Sequence, residues 1–98
     1  MAAPHELQAA IEHDPAASRF EVRVGGRRCV ADYRLAGKVM TMHHTYVPPA
    51  LEGRGIAAAL VAHALSHARR EGWQVRPTCS YVAAYMQRHP ETLDLIAD

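Results

Sequence analysis

The chain has 98 residues, and its 11 basic and 10 acidic side chains give a formal net charge of +1 with histidine counted neutral. A length of this order predicts one domain, which buries roughly 60–65% of its unfolded surface in a single modest core. The even charge balance argues against a large basic footprint for nucleic acid or for an anionic membrane surface. No apolar run approaches the ~18 residues that a transmembrane helix needs. We therefore expect neither a nucleic-acid partner nor a membrane partner.

The cellular setting is indicated by the start of the chain and by its cysteines. The first residues show no basic segment followed by a long apolar run, so they do not have the pattern of a secretory signal. Cys29 and Cys79 are the two cysteines, too few for a disulfide framework. A reducing, cytoplasmic setting is the simplest expectation.

The first 18 residues lack a strong hydrophobic period. Leu7 and Ile11 are four apart and suit one helical turn. The pair Asp14-Pro15 then interrupts any helix, because proline disfavours helical geometry in the residue before it. We expect residues 1–18 to form a loosely attached arm and residues 19–98 to form the domain.

Alternating apolar and polar residues predict three strands, at about 20–24, 29–35 and 38–47. Gly25-Gly26 lies between the first two strands and suits a two-residue hairpin turn, and Gly37 marks the next turn. The third strand places Met42, His44 and Tyr46 on one face if the alternation is regular.

A long amphipathic helix is predicted at about 55–71, with Gly72 as its C-terminal cap. A fourth strand at about 73–79 and a second helix at about 81–88 follow. The order β-β-β-α-β-α predicts an α/β (α+β) fold: an antiparallel meander, then a βαβ unit with a right-handed parallel crossover, then a C-terminal helix.

The topology predicts where a ligand binds, because ligands of open α/β sheets gather at the carboxyl ends of parallel strands. The long helix begins there in a glycine-rich turn whose free N–H groups suit a pyrophosphate. A plain connecting loop explains the glycines equally well. The expected cofactor-binding residues of this turn are Gly53, Arg54, Gly55, Ile56, Ala57 and Ala58, with Arg54 as a fixed cation. The pattern is neither a P-loop nor a dinucleotide fingerprint.

These residues resemble the acyl-CoA site of the Gcn5-related N-acetyltransferases (GNATs), whose signature is Gln/Arg-x-x-Gly-x-Gly/Ala. Gly55 and Ala57 occupy its last two places, whereas Glu52 replaces the usual Gln or Arg. The chain is more closely similar to the small, single-domain YjdJ-type or NATD1-like branch of that family. The matching stretches are His44-Thr45-Tyr46-Val47-Pro48, Gly53–Ala57, Pro77-Thr78-Cys79-Ser80-Tyr81-Val82, Tyr85 and Arg88-His89-Pro90-Glu91.

The resemblance implies a truncated GNAT fold, with acetyl-CoA as co-substrate between the splayed parallel strands. Backbone amides after the splayed strand hold the pantetheine arm in larger GNATs, and Val47 takes that place here. The family's Gln or Arg at the place of Glu52 assists phosphate binding, so Glu52 departs from the family pattern, and Arg54 is the residue that could compensate. Members of the family often carry Glu at the place of Tyr46, although Tyr also occurs there; if Glu is the base in those members, this protein lacks it.

Four residues are candidates for catalysis. Cys79 and His44 both lie at predicted strand ends and could form a nucleophile–base pair, although a free cysteine is more often simply buried. His44 could instead deprotonate an amine. The resemblance suggests Tyr46 or Tyr85 as proton donor to the leaving CoA thiolate, and aromatic packing is the alternative for both.

The leading functional hypothesis is acetyl transfer from acetyl-CoA to an amine, either a protein lysine or a small amine. The alternatives are a non-catalytic acyl-CoA-binding module and an interaction domain that has lost CoA binding. No metal is expected, and His63 and His67, four apart on the long helix, indicate a solvated face.

Overall fold

The computed structural model describes residues 4–98, with side chains from Glu6 onward. Within this range the elements are α1 (Pro4–Ala10), β1 (Glu12–Asp14), β2 (Arg19–Val24), β3 (Arg27–Ala36), β4 (Val39–Tyr46), α2 (Ile56–Glu71), β5 (Gln74–Pro77) and α3 (Ser80–Arg88). Short 3₁₀ segments, Pro49–Leu51 and Pro90–Leu95, precede α2 and follow α3. No helix in this range is long and apolar enough to span a bilayer.

The strands form one sheet in the order β1-β2-β3-β4-β5. Neighbours from β1 to β4 pair antiparallel, whereas β4 and β5 pair parallel across the α2 crossover. Gly25 and Gly26 have φ values of 56° and 77°, as a hairpin turn with two left-handed residues requires. The predicted meander and βαβ unit are confirmed.

One hydrophobic core lies on one face of this sheet. Its fully buried strand residues include Phe20 of β2, Met40 and Met42 of β4 and Val75 of β5. The helices contribute further members of the same cluster, which are Leu7, Ile56, Leu60, Val61, Ala64, Leu65, Ala68, Val82 and Met86. Gly72 ends α2 with φ 73° and donates to the carbonyls of Ala68 and Arg69, so the predicted cap is present.

The N-terminal segment differs from the expectation of a loose arm. Residues 4–14 form α1 and the edge strand β1, and residues 1–3 lie outside the described range. Leu7 and Ile11 are only 8% and 6% exposed and join the core. The Asp14-Pro15 pair ends β1, and its turn is closed by a bond from Ser18 N–H to the Pro15 carbonyl. The segment thus packs against the domain through the apolar pair that suggested a helical turn.

A β-bulge interrupts the pairing of β3 with β4. Asp32 pairs with His44, but the next residue, Tyr33, pairs with Met42, so His43 is the extra residue. One inserted residue exchanges the two faces of a strand. Beyond the bulge His44 is therefore on the solvent face and exposed, although the regular alternation had placed it with the buried Met42.

Candidate functional site

An open cavity of about 560 Å³ lies where β4 ends and α2 begins. Side chains and backbone from four stretches line it: Thr45, Tyr46 and Val47 of β4 and its end, Pro49, Leu51, Glu52, Gly53 and Gly55 of the loop, Ile56, Ala57 and Ala58 of α2, and Tyr81 of α3. Six of the seven residues expected to hold the cofactor are in this group. Arg54 is not, because its side chain is exposed beside the cavity.

The cavity opens because the two parallel strands separate. Their pairing ends with Met42 opposite Pro77. The N–H groups of Thr78 and Cys79 then both donate to the Met42 carbonyl, at 3.1 and 3.0 Å. Beyond this point β5 turns into α3, while β4 runs on to Tyr46 and pairs with β3 alone among the described strands. The backbone of β4 that faced β5 is thereby open to a ligand.

The start of α2 supplies N–H donors to this cavity. The first intrahelical bond runs from Ala59 N–H to the Gly55 carbonyl at 3.0 Å, and no side chain caps the helix. The N–H groups of Ile56, Ala57 and Ala58 precede that bond, so they lack partners within the helix. Together with the helix dipole they form a site suited to an anion.

Backbone conformation explains the two glycines of this turn. Gly53 and Gly55 have φ values of 80° and 76°, in the left-handed region. A Cβ built on either residue would meet no atom within 4 Å. Glycine is therefore required by the turn geometry, and the space above both residues is open to a ligand.

Charge at the cavity is negative. Within the described part of the chain, Glu52 is the one charged residue that lines the cavity. Its carboxylate lies four residues before the start of α2, and the exposed Arg54 stands two residues away. The structure thus shows that the departure from the family signature places a negative charge on the cavity wall itself.

Cys79 has Thr45 as its partner, since Thr45 Oγ1 lies 3.2 Å from its sulfur. Burial by itself would raise the pKa of the Cys79 thiol, but the Thr45 hydroxyl and the N–H groups of Val82 and Tyr81 stabilise the thiolate. Their combined effect is to lower the pKa below its usual value. The half-buried thiol does not line the cavity itself and is joined to it through Thr45.

His44 and Cys79 are not brought together. The bulge at His43 places Thr45, rather than His44, on the face that carries Met42. His44 lies beside Asp32 on the opposite face, where the carboxylate of Asp32 accepts a hydrogen bond from Arg19 at 2.8 Å. The arrangement does not support the predicted nucleophile–base pair.

The tyrosines divide between two places. Tyr46 lines the cavity and is 48% exposed. Tyr85 lies away from it, beside a separate cavity of about 190 Å³, and stacks on His89 with ring centroids 4.0 Å apart. Tyr81, one helical turn before Tyr85, takes the place at the main cavity. The four-residue spacing places both tyrosines on the same side of α3, so the sequence pattern does not show which of them reaches the cavity.

Known proteins resemble this chain over most of its length. A family model described as GCN5-related N-acetyl-transferase matches residues 19–95. The chain belongs to this family. It is 37% identical over 83 residues to Protein NATD1 of Mus musculus, covering 82% of this chain and 76% of the relative. It is equally identical to Protein NATD1 of Homo sapiens, covering 74% of the relative. For Protein NATD1 of Danio rerio the identity is 32% over 91 residues, covering 88% and 83%.

The splayed strands and the glycine-rich helix start both lie in the part of the chain that the GNAT family model matches. The match covers all the strands from β2 to β5, with α2 and α3. The cavity and every residue expected to bind the cofactor therefore lie within the matched region. The expected GNAT family and fold are confirmed.

We predict that Thr45→Val makes the Cys79 thiol less reactive. Losing one hydrogen bond worth about 0.5–1.5 kcal/mol destabilises the thiolate, which raises the pKa. The rate of alkylation by iodoacetamide at pH 7.5 should then fall about 2- to 10-fold. Peptide mass spectrometry resolves the rate at Cys79 from that at the fully buried Cys29.

The matched control is Thr41→Val on the same strand, which pairs with Arg34 and Arg76 rather than with residues of the cavity. This variant should leave the rate at Cys79 unchanged. A Thr45→Val rate equal to that of the wild type would show that the hydroxyl does not act on the thiolate.

Proposed function

We propose that this protein binds acetyl-CoA in the 560 Å³ cavity and transfers the acetyl group to an amine. The observation that carries the proposal is the meeting, at one cavity, of an uncapped helix start and a strand with an unpaired edge. The pyrophosphate would bind the N–H groups of Ile56, Ala57 and Ala58. The pantetheine arm would run along β4 and bond to the backbone near Val47.

Transfer needs positioning more than acid–base groups. The amine nitrogen attacks the thioester carbonyl, a C–N bond forms and the C–S bond breaks. The nitrogen loses its proton to water in the open cavity, and the CoA thiolate gains a proton from a donor that water then reprotonates. The backbone N–H of Val47 would stabilise the oxyanion, and Tyr46 is placed to supply the proton to the thiolate, because it lines the cavity whereas Tyr85 does not.

The acceptor would be an exposed amine. The cavity is open, and Tyr46 and Tyr81 at its wall are 48% and 38% exposed. Among the described residues, no additional helix, strand or loop covers β4 to enclose a small substrate. An amine presented on a flexible chain, such as a lysine side chain of a protein, suits this opening better than a metabolite that needs an enclosed pocket.

A non-catalytic acyl-CoA-binding module is the second candidate. The observation that favours it is the lining of the cavity, where the described residues include no histidine, and no carboxylate except Glu52. In a module of this kind, acetyl-CoA binds but the protein does not accelerate acetyl transfer. Amine acceptors that are already neutral at the assay pH would then react no faster than without protein.

Turnover separates the two candidates. Liquid chromatography of free CoA, with a lysine peptide and a small polyamine as acceptors, should show acceptor-dependent CoA release in proportion to the acetylated product. Intact-mass analysis of the protein after mixing with acetyl-CoA should show no added acetyl group if transfer is direct. An added group that is lost in Cys79→Ser would instead make the thiol an intermediate. Binding without turnover would favour the module.

Substitution of Gly55 tests the binding site. Gly55→Val introduces a β-branched side chain at φ 76°, at a cost of about 1–2 kcal/mol in backbone strain, and fills the space above the helix start. We predict at least a tenfold loss of acetyl-CoA affinity by calorimetry, because the side chain blocks the N–H donors from the pyrophosphate.

Gly72→Val is the matched control, since Gly72 has φ 73° at the other end of the same helix. It should lower the melting temperature to a similar extent and leave the affinity unchanged. Equal affinities for the two variants, both folded by circular dichroism, would refute the placement of the ligand.

Removing the charge of Glu52 is predicted to strengthen acetyl-CoA binding, in contrast to the loss predicted for Gly55→Val. Glu52→Gln removes a carboxylate from the cavity wall and should tighten acetyl-CoA binding about two- to fivefold, because like charges no longer oppose each other near the surface. The gain should shrink at high salt. Glu12→Gln on the edge strand is the control and should have no effect. Weaker binding by the Glu52 variant would place the phosphates elsewhere.

A further inference from the structure

Three histidine rings lie in one cluster with Phe20, on the core side of the sheet. His13 of β1 stacks on Phe20 with centroids 4.3 Å apart and meets the ring of His67 edge-on at 4.4 Å. His63 and His67 of α2 each contact Phe20 at 5.6 Å. Both α2 rings are half-buried, so the expectation of a solvated face for them is wrong. No group of three or more potential ligands among the described residues could hold a metal ion.

The cluster joins the N-terminal segment to the rest of the domain. His13 Nε2 lies 2.6 Å from the Tyr33 hydroxyl of β3, and His63 Nδ1 lies 3.3 Å from Gln8 Oε1 of α1. Gln8 Nε2 also donates to the Ala59 carbonyl at 2.9 Å. These polar contacts all cross from residues 4–14 to α2 or β3.

Burial and the neighbouring cationic groups oppose the protonation of His13 and His63. Burial lowers the pKa of His13, and the neighbouring His67 and His63 lower it further, whereas Asp14 of β1 and Glu71 of α2 act in the opposite direction without reversing the result. Burial also lowers the pKa of His63, with Arg70 and His67 contributing. The packed arrangement therefore favours the neutral imidazoles of His13 and His63.

We propose that His13, His63 and His67 form an acid-sensitive latch, which holds α1 and β1 against α2 at neutral pH and releases them when the rings become protonated. Two charged imidazoles with centroids 4.4 Å apart repel each other. In the released segment His13 is solvated and separated from the α2 rings. The released state therefore binds protons more readily, and it gains population as the pH falls below 6.5, the ordinary value for histidine.

Release is local because the segment is peripheral. β1 has three residues and lies at the edge of the sheet, paired with β2 alone. The segment contributes Leu7 and Ile11 to the core, whereas the fully buried side chains of the central strands and of α2 belong to other elements. The elements from β2 to α3 thus keep their mutual contacts when residues 4–14 detach. No residue of the segment lines the main cavity.

Hydrogen exchange with mass spectrometry tests the latch on the intact chain. After correction for the pH dependence of chemical exchange, protection in residues 7–14 should fall about tenfold between pH 7.5 and 5.5. Protection in β3 and in α3 should stay constant. An equal loss throughout the chain would mean global acid unfolding and would overturn the proposal, as would no change in residues 7–14.

Three variants assign the effect to the rings. His13→Phe keeps an aromatic ring on Phe20 but cannot be protonated, so most of the pH dependence should disappear. Tyr33→Phe removes the same hydroxyl contact and keeps all three histidines, so the pH dependence should persist. His67→Phe repeats the test in case His13→Phe fails to pack at pH 7.5. A pH dependence that survives in both phenylalanine variants of the histidines would overturn the latch.

Discussion

The carbonyl oxygen of Met42 is the point on which the architecture of this domain depends. It accepts the N–H groups of Thr78 and Cys79 at 3.1 and 3.0 Å, and the Thr78 hydroxyl lies 3.3 Å from it. These bonds end the parallel ladder and direct the chain from β5 into α3. The gap between the strands, the start of α2 and the start of α3 consequently meet at one cavity. Moving this branch point by one residue would change which side chains face the ligand.

The hydrophobic periodicity of the sequence predicted the regular strands and helices. Alternation identified β2 to β5, and the apolar stripe with Gly72 identified α2 and its end. The glycines at 53 and 55 marked the helix start, because their left-handed φ values are a property of the local chain. The family resemblance extended this to the fold, which the family match supports, and it led to the proposed position of the cofactor site.

Features that depend on tertiary contacts could not be predicted from the hydrophobic periodicity of the sequence. One extra residue at His43 leaves no mark in the alternation, yet it exchanges the places of His44 and Thr45. Tyr81 and Tyr85 have equivalent patterns in α3, and only the packing of the helix decides which one reaches the cavity. In β1 the residue that faces the core is His13, whose polar ring gave no signal of burial.

Backbone groups dominate the candidate site. N–H donors of α2, the free edge of β4 and two left-handed glycines define its shape, and side chains add one carboxylate and two tyrosines to its wall. A site of this kind tolerates substitution of most side chains, because the donors belong to every residue type except proline.

Both edges of the sheet are short and shielded. At one edge β1 exposes its outer side over three residues, and Glu12 and Asp14 carry charges there. At the other, Ile96 bridges to Val75, and Ala97 N–H donates to the Val75 carbonyl at 2.8 Å. Long unpaired edges are templates for pairing between molecules. This domain presents neither edge as such a template, which protects it from growing into sheets that run from one molecule to the next.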